Sequence, residues 1–145
     1  MKSYKYNVVK SGYDAETGES FVTINTDVGM FTGEAQCHPD EERPSNMFGC
    51  QVAEGRALDK YLRELVKIAK ARRKELNNLY TTFSDWSGFN EDNYYTSKVR
   101  RALYALSGEI DDLERKRIQL TQKIKAMCVE RDIIISENKK RHAKK

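Results

Sequence analysis

At 145 residues the chain is the usual size of one domain, and its composition, 39% hydrophobic and 33% charged, is thin in apolar residues for a wholly globular fold. That balance favours long, solvated helices with a narrow apolar stripe. A net charge of +4 is too mild to mark a nucleic-acid binder on charge alone. No apolar run approaches the ~18 residues of a membrane span, and three widely spaced cysteines without a CxxC pair point to a reducing compartment rather than a disulfide framework.

The opening Met1–Tyr6 has no apolar signal region, so a cytoplasmic chain is expected. Tyr4 to Lys10 is aromatic and β-branched, as strands prefer, and Ser11 to Gly18 is turn chemistry with two glycines and Asp14. Glu19 to Asn25, carrying Phe21, Val22, Thr23 and Ile24, is a second strand. Asp27-Val28-Gly29 is a tight turn, and Met30 to Cys37 is a third strand. Its alternation puts Phe31, Gly33, Ala35 and Cys37 on one face; such small residues predict a closely packed neighbour there, with the following helix as the candidate. His38 to Asn46 is a loop that holds both prolines, and Ser45 or Asn46 can cap the next helix.

The period then changes from 2 to 3.6. Leu58, Leu62, Leu65, Ala69, Arg72, Leu76, Leu79 and Phe83 alternate four and three apart, a heptad seam with one charged member. Ser84 to Asp92 interrupts it. A second seam runs through Val99, Leu103, Leu106, Ile110, Leu113, Arg117, Leu120, Ile124, Met127, Arg131 and Ile134. At 1.5 Å per residue the two helices measure about 50 and about 70 Å, and a short loop makes them antiparallel neighbours. The surplus of the second, from roughly Ile124 on, keeps an apolar stripe through Met127, Ile133, Ile134 and Ile135 that must meet the sheet or another subunit, so self-association is expected. The fold class is α+β: a small N-terminal antiparallel sheet followed by a long, coiled-coil-like helical hairpin, oligomeric. As one domain it divides into a sheet part (1–45), helix (46–83), loop (84–92), helix (93–140) and basic tail (141–145).

Catalysis finds little support. His142 is in the tail, and a metal site from Cys37, His38 and Cys50 is weak because adjacent strand residues point opposite ways; the same geometry defeats a Cys–His nucleophile pair. Phosphate-cradling glycine motifs are absent. The expectation is therefore no catalytic residue, no metal and no cofactor. Gly55 inside a helix costs about 1 kcal/mol relative to alanine and so implies a close approach: packing against the sheet beside Ala53 and Ala57, or a ligand whose anion Arg56 would bind. The interhelical loop, with Phe83, Trp86, Phe89, Tyr94, Tyr95, Asn90 and Asn93, reads as a hydrophobic plug or as a stacking surface for a planar ligand such as a purine, with Arg100 and Arg101 nearby for phosphate. The seam arginines Arg72, Arg117 and Arg131 either snorkel, pair with acids across the hairpin, or line an anion site between subunits. The terminal Lys139-Lys140-Arg141-His142-Ala143-Lys144-Lys145 reads first as a solvated tail.

The stretch Gly29-Met-Phe-Thr-Gly-Glu-Ala-Gln-Cys-His-Pro-Asp-Glu, with Gly49-Cys-Gln-Val-Ala-Glu-Gly-Arg-Ala-Leu-Asp-Lys-Tyr-Leu62, resembles small phage proteins of Gram-positive bacteria, specifically the first family of Thoeris anti-defence proteins. The motif covers about a quarter of the chain. That resemblance implies a sponge that binds a cyclic ADP-ribose immune signal and holds it without cleavage, built as a small sheet with long helices and with ligand sites between protomers. By position it implies Phe83 and Asn93 as ligand contacts, together with Gly55 and Arg56. It also implies arginines of the second helix, for which Arg100, Arg101, Arg115 and Arg117 are the candidates. Trp86 joins the site from the aromatic loop. Two other readings stay open: a nucleic-acid-binding phage protein, since strands before a basic helix loosely match a double-stranded-RNA-binding layout, and a coiled-coil inhibitor of a host protein.

Overall fold

The structure is a computed structural model that describes residues 5–14, 16–36, 46–85 and 94–143, without the side chains of residues 46, 47, 83–85, 94–96 and 142. Its elements are β1 (Asn7–Tyr13), β2 (Glu19–Thr26), β3 (Gly29–Gln36), α1 (Asn46–Asp85) and α2 (Tyr94–Ala143). The described part of the chain is thus a three-stranded antiparallel sheet in the order β1-β2-β3 followed by two long helices. By contacts it divides into two compact units, one of Met1–Tyr61 with Ile118–Lys145 and one of Leu62–Arg117.

In the first unit, β1 lies later than the aromatic run predicts. Ser11, Gly12 and Tyr13 pair with Val22, Phe21 and Ser20, so residues with turn chemistry are strand residues here. Gly12 has a reason to be there: a Cβ at this position would strike the Phe21 ring. The register slips between Val8 and Lys10, which leaves Val9 as the extra residue of a bulge. The β1–β2 turn is closed by Gly18 N–H donating to the Asp14 carbonyl at 2.7 Å, with Gly18 at φ 74°, where glycine carries no Cβ penalty. The β2–β3 hairpin has the two-residue loop Asp27-Val28, since Thr26 pairs with Gly29.

One face of the sheet carries Ser20, Val22 and Ile24 of β2 and Gly33 and Ala35 of β3, all buried. The small residues of β3 act as the alternation predicts. A Cβ on Gly33 would run into the Ala53 carbonyl oxygen and the Ala57 amide nitrogen, so α1 lies directly on the strand, with Ala53 and Ala57 fully buried. Phe31 sits 5.8 Å from Tyr61, ring centre to ring centre. Arg56 Nη1 donates to the Glu34 carbonyl at 2.7 Å, and Lys60 Nζ to the Thr32 carbonyl at 2.6 Å. Tyr61 Oη donates to Asp27 Oδ1 at 2.7 Å, tying α1 to the hairpin tip. Cys37, the last member of the predicted face, lies outside the described residues.

The C-terminal part of α2 completes this unit. The spacing around Gly55 predicts packing against the sheet; the structure instead puts Ile124 and Leu120 of α2 against it, with the Ile124 Cδ1 carbon 2.9 Å from where a Cβ would sit. The sheet is met by Gly49, Ala53 and Ala57 on the neighbouring face of the helix, because residues i, i+4 and i+8 share a face that Gly55 does not. The predicted surplus of α2 is therefore partly covered within the chain: Ile124 packs on Gly55 and Arg131 lies 5.2 Å over the Phe48 ring. Val129, Ile133 and Ile134 stay exposed.

The second unit is an antiparallel pair of helical segments, residues 62–85 against 94–117. Ala69, Leu106 and Ile110 form its buried cluster with Leu76 packed on it, flanked by buried Leu62, Val66, Val99 and Leu113. Of the α2 seam predicted from the four-three alternation, Val99, Leu106, Ile110 and Leu113 are buried here, whereas its last member, Ile134, is exposed. The α1 seam departs from it: Val66 is buried in place of Leu65, Arg73 and Tyr80 are half-buried, and Arg72 and Leu79 are exposed. Two parallel apolar lines run one residue apart on α1, and the line used is the one whose aromatic Tyr80 and long Arg73 stem can lie along the partner helix. Lys70 Nζ meets Glu114 Oε1 at 3.1 Å on the flank.

Candidate functional site

The first unit contains a pocket of about 160 Å³ between sheet and helices. Its floor is one cross-strand row: Tyr13 pairs with Ser20, and Ser20 with Ala35, with Gln36 at the rim. One wall is a single face of α1, Phe48, Val52 and Arg56 at i, i+4 and i+8, with Gly49 beside them. The other wall is Cys128 and Arg131, one turn apart on α2. Among the described residues, no acidic side chain lines it.

Each polar group has a definite situation. Arg56 spends one N–H on the Glu34 carbonyl and keeps four donors. Arg131 Nε faces Asp132 Oδ1 at 3.3 Å, and its guanidinium is laid over Phe48, an arrangement that combines cation–π attraction with a fixed orientation. Gln36 Nε2 donates to the Thr17 carbonyl at 3.3 Å. Ser20 is only 2% exposed, and among the described residues its hydroxyl makes no hydrogen bond. Gly49 leaves it room, since a Cβ there would strike Ser20 Oγ. Cys128 and Cys50 are both half-buried and outside any disulfide.

Of the residues predicted as ligand contacts, Arg56 alone among those described lines this pocket. Gly55 faces α2 rather than the cavity. Trp86 and Asn93 lie outside the described residues, as do His38 and Cys37 of the weak metal reading, and the side chain of Phe83 is likewise not described. Arg100, Arg101, Arg115 and Arg117 belong to the second unit. Arg100 sits 5.9 Å over the Tyr80 ring, with Nη2 donating to Tyr80 Oη at 3.2 Å. Arg101 is exposed, Arg117 half-buried, and Arg115 pairs with Asp112 at 3.6 Å. From Arg100 to Arg115 the α2 axis advances roughly 22 Å, so within one chain these arginines do not converge on one small ligand. Ser20 and Arg131 were not anticipated as partners in a pocket. The signals were present: a seam arginine, and a glycine at position 49 in the first turns of a helix.

No known protein family, curated protein or solved structure matches the chain. The likeness to anti-defence sponges therefore rests on residues 29–41 and 49–62 alone. Among the described residues, no helix is long and apolar enough to cross a membrane.

Proposed function

We propose that this chain is a phage anti-defence protein that binds a cyclic ADP-ribose-type nucleotide and sequesters it, uncleaved, in the cytoplasm of the infected cell, acting as a homo-oligomer assembled through its helices. The observation that carries this reading is the Arg100–Tyr80 pair. It joins a guanidinium and an aromatic ring on the two helices, α1 carrying Phe83 in its last turn, between which the sequence runs through Trp86 and Asn93. Held against the ring and hydrogen-bonded to its hydroxyl, Arg100 loses little freedom when it meets a phosphate, so more of the charge-assisted bond appears as affinity. Aromatic loop residues would stack the base, Asn93 would read its polar edge, and Arg101 would add charge. The resemblance adds Gly55 and Arg56, with Arg115 and Arg117 as further phosphate contacts supplied across protomers. Self-association is supported by the exposed apolar residues of α2: Tyr104 at 86%, with Ile118, Val129 and Ile133.

The test is isothermal titration calorimetry with cyclic ADP-ribose isomers, followed by chromatography of the ligand recovered on denaturation. Binding with return of intact ligand supports the reading; no heat with any isomer from a folded oligomer ends it.

A second reading has its own observation. Arg63, Lys67, Lys70 and Lys74 are all exposed and fall four, three and four residues apart on one line of α1, as a helix tracking a nucleic-acid backbone would require, with Lys70 exchanging its Glu114 partner for a phosphate. Polyanion binding would weaken steeply with salt, so a gel shift that stays blank at low salt dismisses it.

A further inference from the structure

We propose that the pocket formed by Ser20, Arg56 and Arg131 is a phosphate site, apart from the interhelical loop and sharing only Arg56 with the nucleotide reading. Three directions of approach define it. Arg56 enters from α1, Arg131 from α2 and Ser20 from the sheet. A planar carboxylate presents its oxygens in two directions; a tetrahedral phosphate presents them in three or more and so matches donors on three separate walls. The two guanidiniums match a dianion; among the described residues no acidic side chain lines the cavity, and Asp132 Oδ1, 3.3 Å from Arg131 Nε, offsets part of that charge from outside the lining.

Ser20 itself points the same way. A hydroxyl buried without a partner is costly, and Ser20 is 2% exposed with no hydrogen bond among the described residues. Alanine would fill the same place without that cost. A ligand oxygen accepting from the hydroxyl would satisfy it; Gly49 gives the hydroxyl its place against α1, since a Cβ there would strike Ser20 Oγ. Arg131 is similarly prepared. Its Nε is turned to Asp132 and its guanidinium is held on Phe48, which leaves the terminal Nη nitrogens without a hydrogen-bond partner among the described residues. At about 160 Å³ the cavity is smaller than the ~300 Å³ at which small-molecule sites begin. It has room for a phosphate group, whether free or the monoester end of a nucleotide, and the two guanidiniums, not the size of the cavity, favour AMP over neutral adenosine.

The test is calorimetric titration of the full chain at low salt with inorganic phosphate, AMP and adenosine, on wild type, Arg131→Gln and Ser20→Ala. The expected result is binding of phosphate and AMP but not of adenosine, weakened about 10-fold or more by Arg131→Gln and about 2- to 10-fold by Ser20→Ala. Equal affinities for phosphate and AMP would identify the free ion as the occupant; tighter AMP binding that phosphate competes away would identify the monoester. Ser20→Ala should also melt no lower than wild type, which keeps the test readable if the arginine variant folds poorly. The proposal is overturned if neither phosphate nor AMP binds the folded protein, if adenosine binds as well as AMP, or if both variants bind phosphate like wild type. Cyclic ADP-ribose isomers are titrated separately, so the loop-end reading and this one fail independently.

Discussion

Substituting Gly33 by alanine tests the contact on which the first unit is built. In a strand, alanine should gain roughly 0.5–1 kcal/mol over glycine from the smaller backbone entropy loss, and Gly33 does not have a positive φ that would forbid the change. Against that gain stands the new methyl, which would meet the Ala53 carbonyl oxygen and the Ala57 amide nitrogen. Both are helix backbone atoms that cannot rotate aside, so α1 has to lift from β3. Overpacking of a well-filled core costs about 1–3 kcal/mol, and with backbone as the obstacle the upper end applies, for a net loss of about 2 kcal/mol. In a chain of this size that is a fall in Tm of about 6 °C, at about 3 °C per kcal/mol. Gly108→Ala is the matched control. Gly108 is exposed in α2 with nothing within 4 Å of its would-be Cβ, so the helix propensity gain of about 1 kcal/mol should raise Tm by about 3 °C. Thermal melts followed by circular dichroism read both. A Gly33→Ala protein that melts at or above wild type would refute the direct seating of α1 on β3.

The Tyr6 phenol is pushed up from 10.0 to about 12 by burial first, then by its 2.9 Å hydrogen bond to Glu54 and that carboxylate's charge. A phenol with a raised folded-state pKa gives stability that is fully present below pH 10 and is lost as pH climbs from 10 through about 12. Urea unfolding between about pH 8 and about pH 11.5 should therefore show a steeper decline for wild type than for Tyr6→Phe, and parallel declines would contradict the assignment. At about pH 8 the same substitution should cost about 1 kcal/mol. Ile110→Ala, at a position 2% exposed in the second unit, should cost about 2–5 kcal/mol in chemical denaturation by opening a cavity beside Ala69 and Leu106; a loss under about 1 kcal/mol would mean the cluster is not packed. Tyr61→Phe removes the hydrogen bond to Asp27 at the hairpin tip and should cost about 1 kcal/mol. Its hydrogen-exchange signature should be faster exchange in the β2–β3 turn, and unchanged protection there would show that the bond anchors nothing.

Periodicity made the order of elements legible, because a change of period from 2 to 3.6 reports a change of backbone irrespective of tertiary context. It also revealed the buried α2 line through Val99, Leu106, Ile110 and Leu113. On α1 two lines compete, and preferring leucines selected Leu65, Arg72 and Leu79 over Val66, Arg73 and Tyr80; which line is buried depends on the partner helix, and no local pattern encodes that. Ser11 to Tyr13 were hidden in the same way, as turn residues drawn into a strand by Phe21 lying across Gly12. Of the pocket, Arg56 was legible as a cation beside a helical glycine. Ser20 was not, since a serine in an alternating strand looks like any polar position until the helix above it is known to carry Gly49.

The carbonyls that Arg56 and Lys60 grip have a bearing on what this sheet can join. In a hairpin closed at Thr26 and Gly29, every second pair turns its peptide groups away from the partner strand, and Thr32 and Glu34 fall in that set on the outer margin of β3. Two cations one helical turn apart already occupy both acceptors, so a foreign strand would have to evict them before it could zip on. The opposite margin, along β1, is interrupted by the bulge at Val9. Growth of the sheet by annexing another polypeptide is thereby discouraged on both sides.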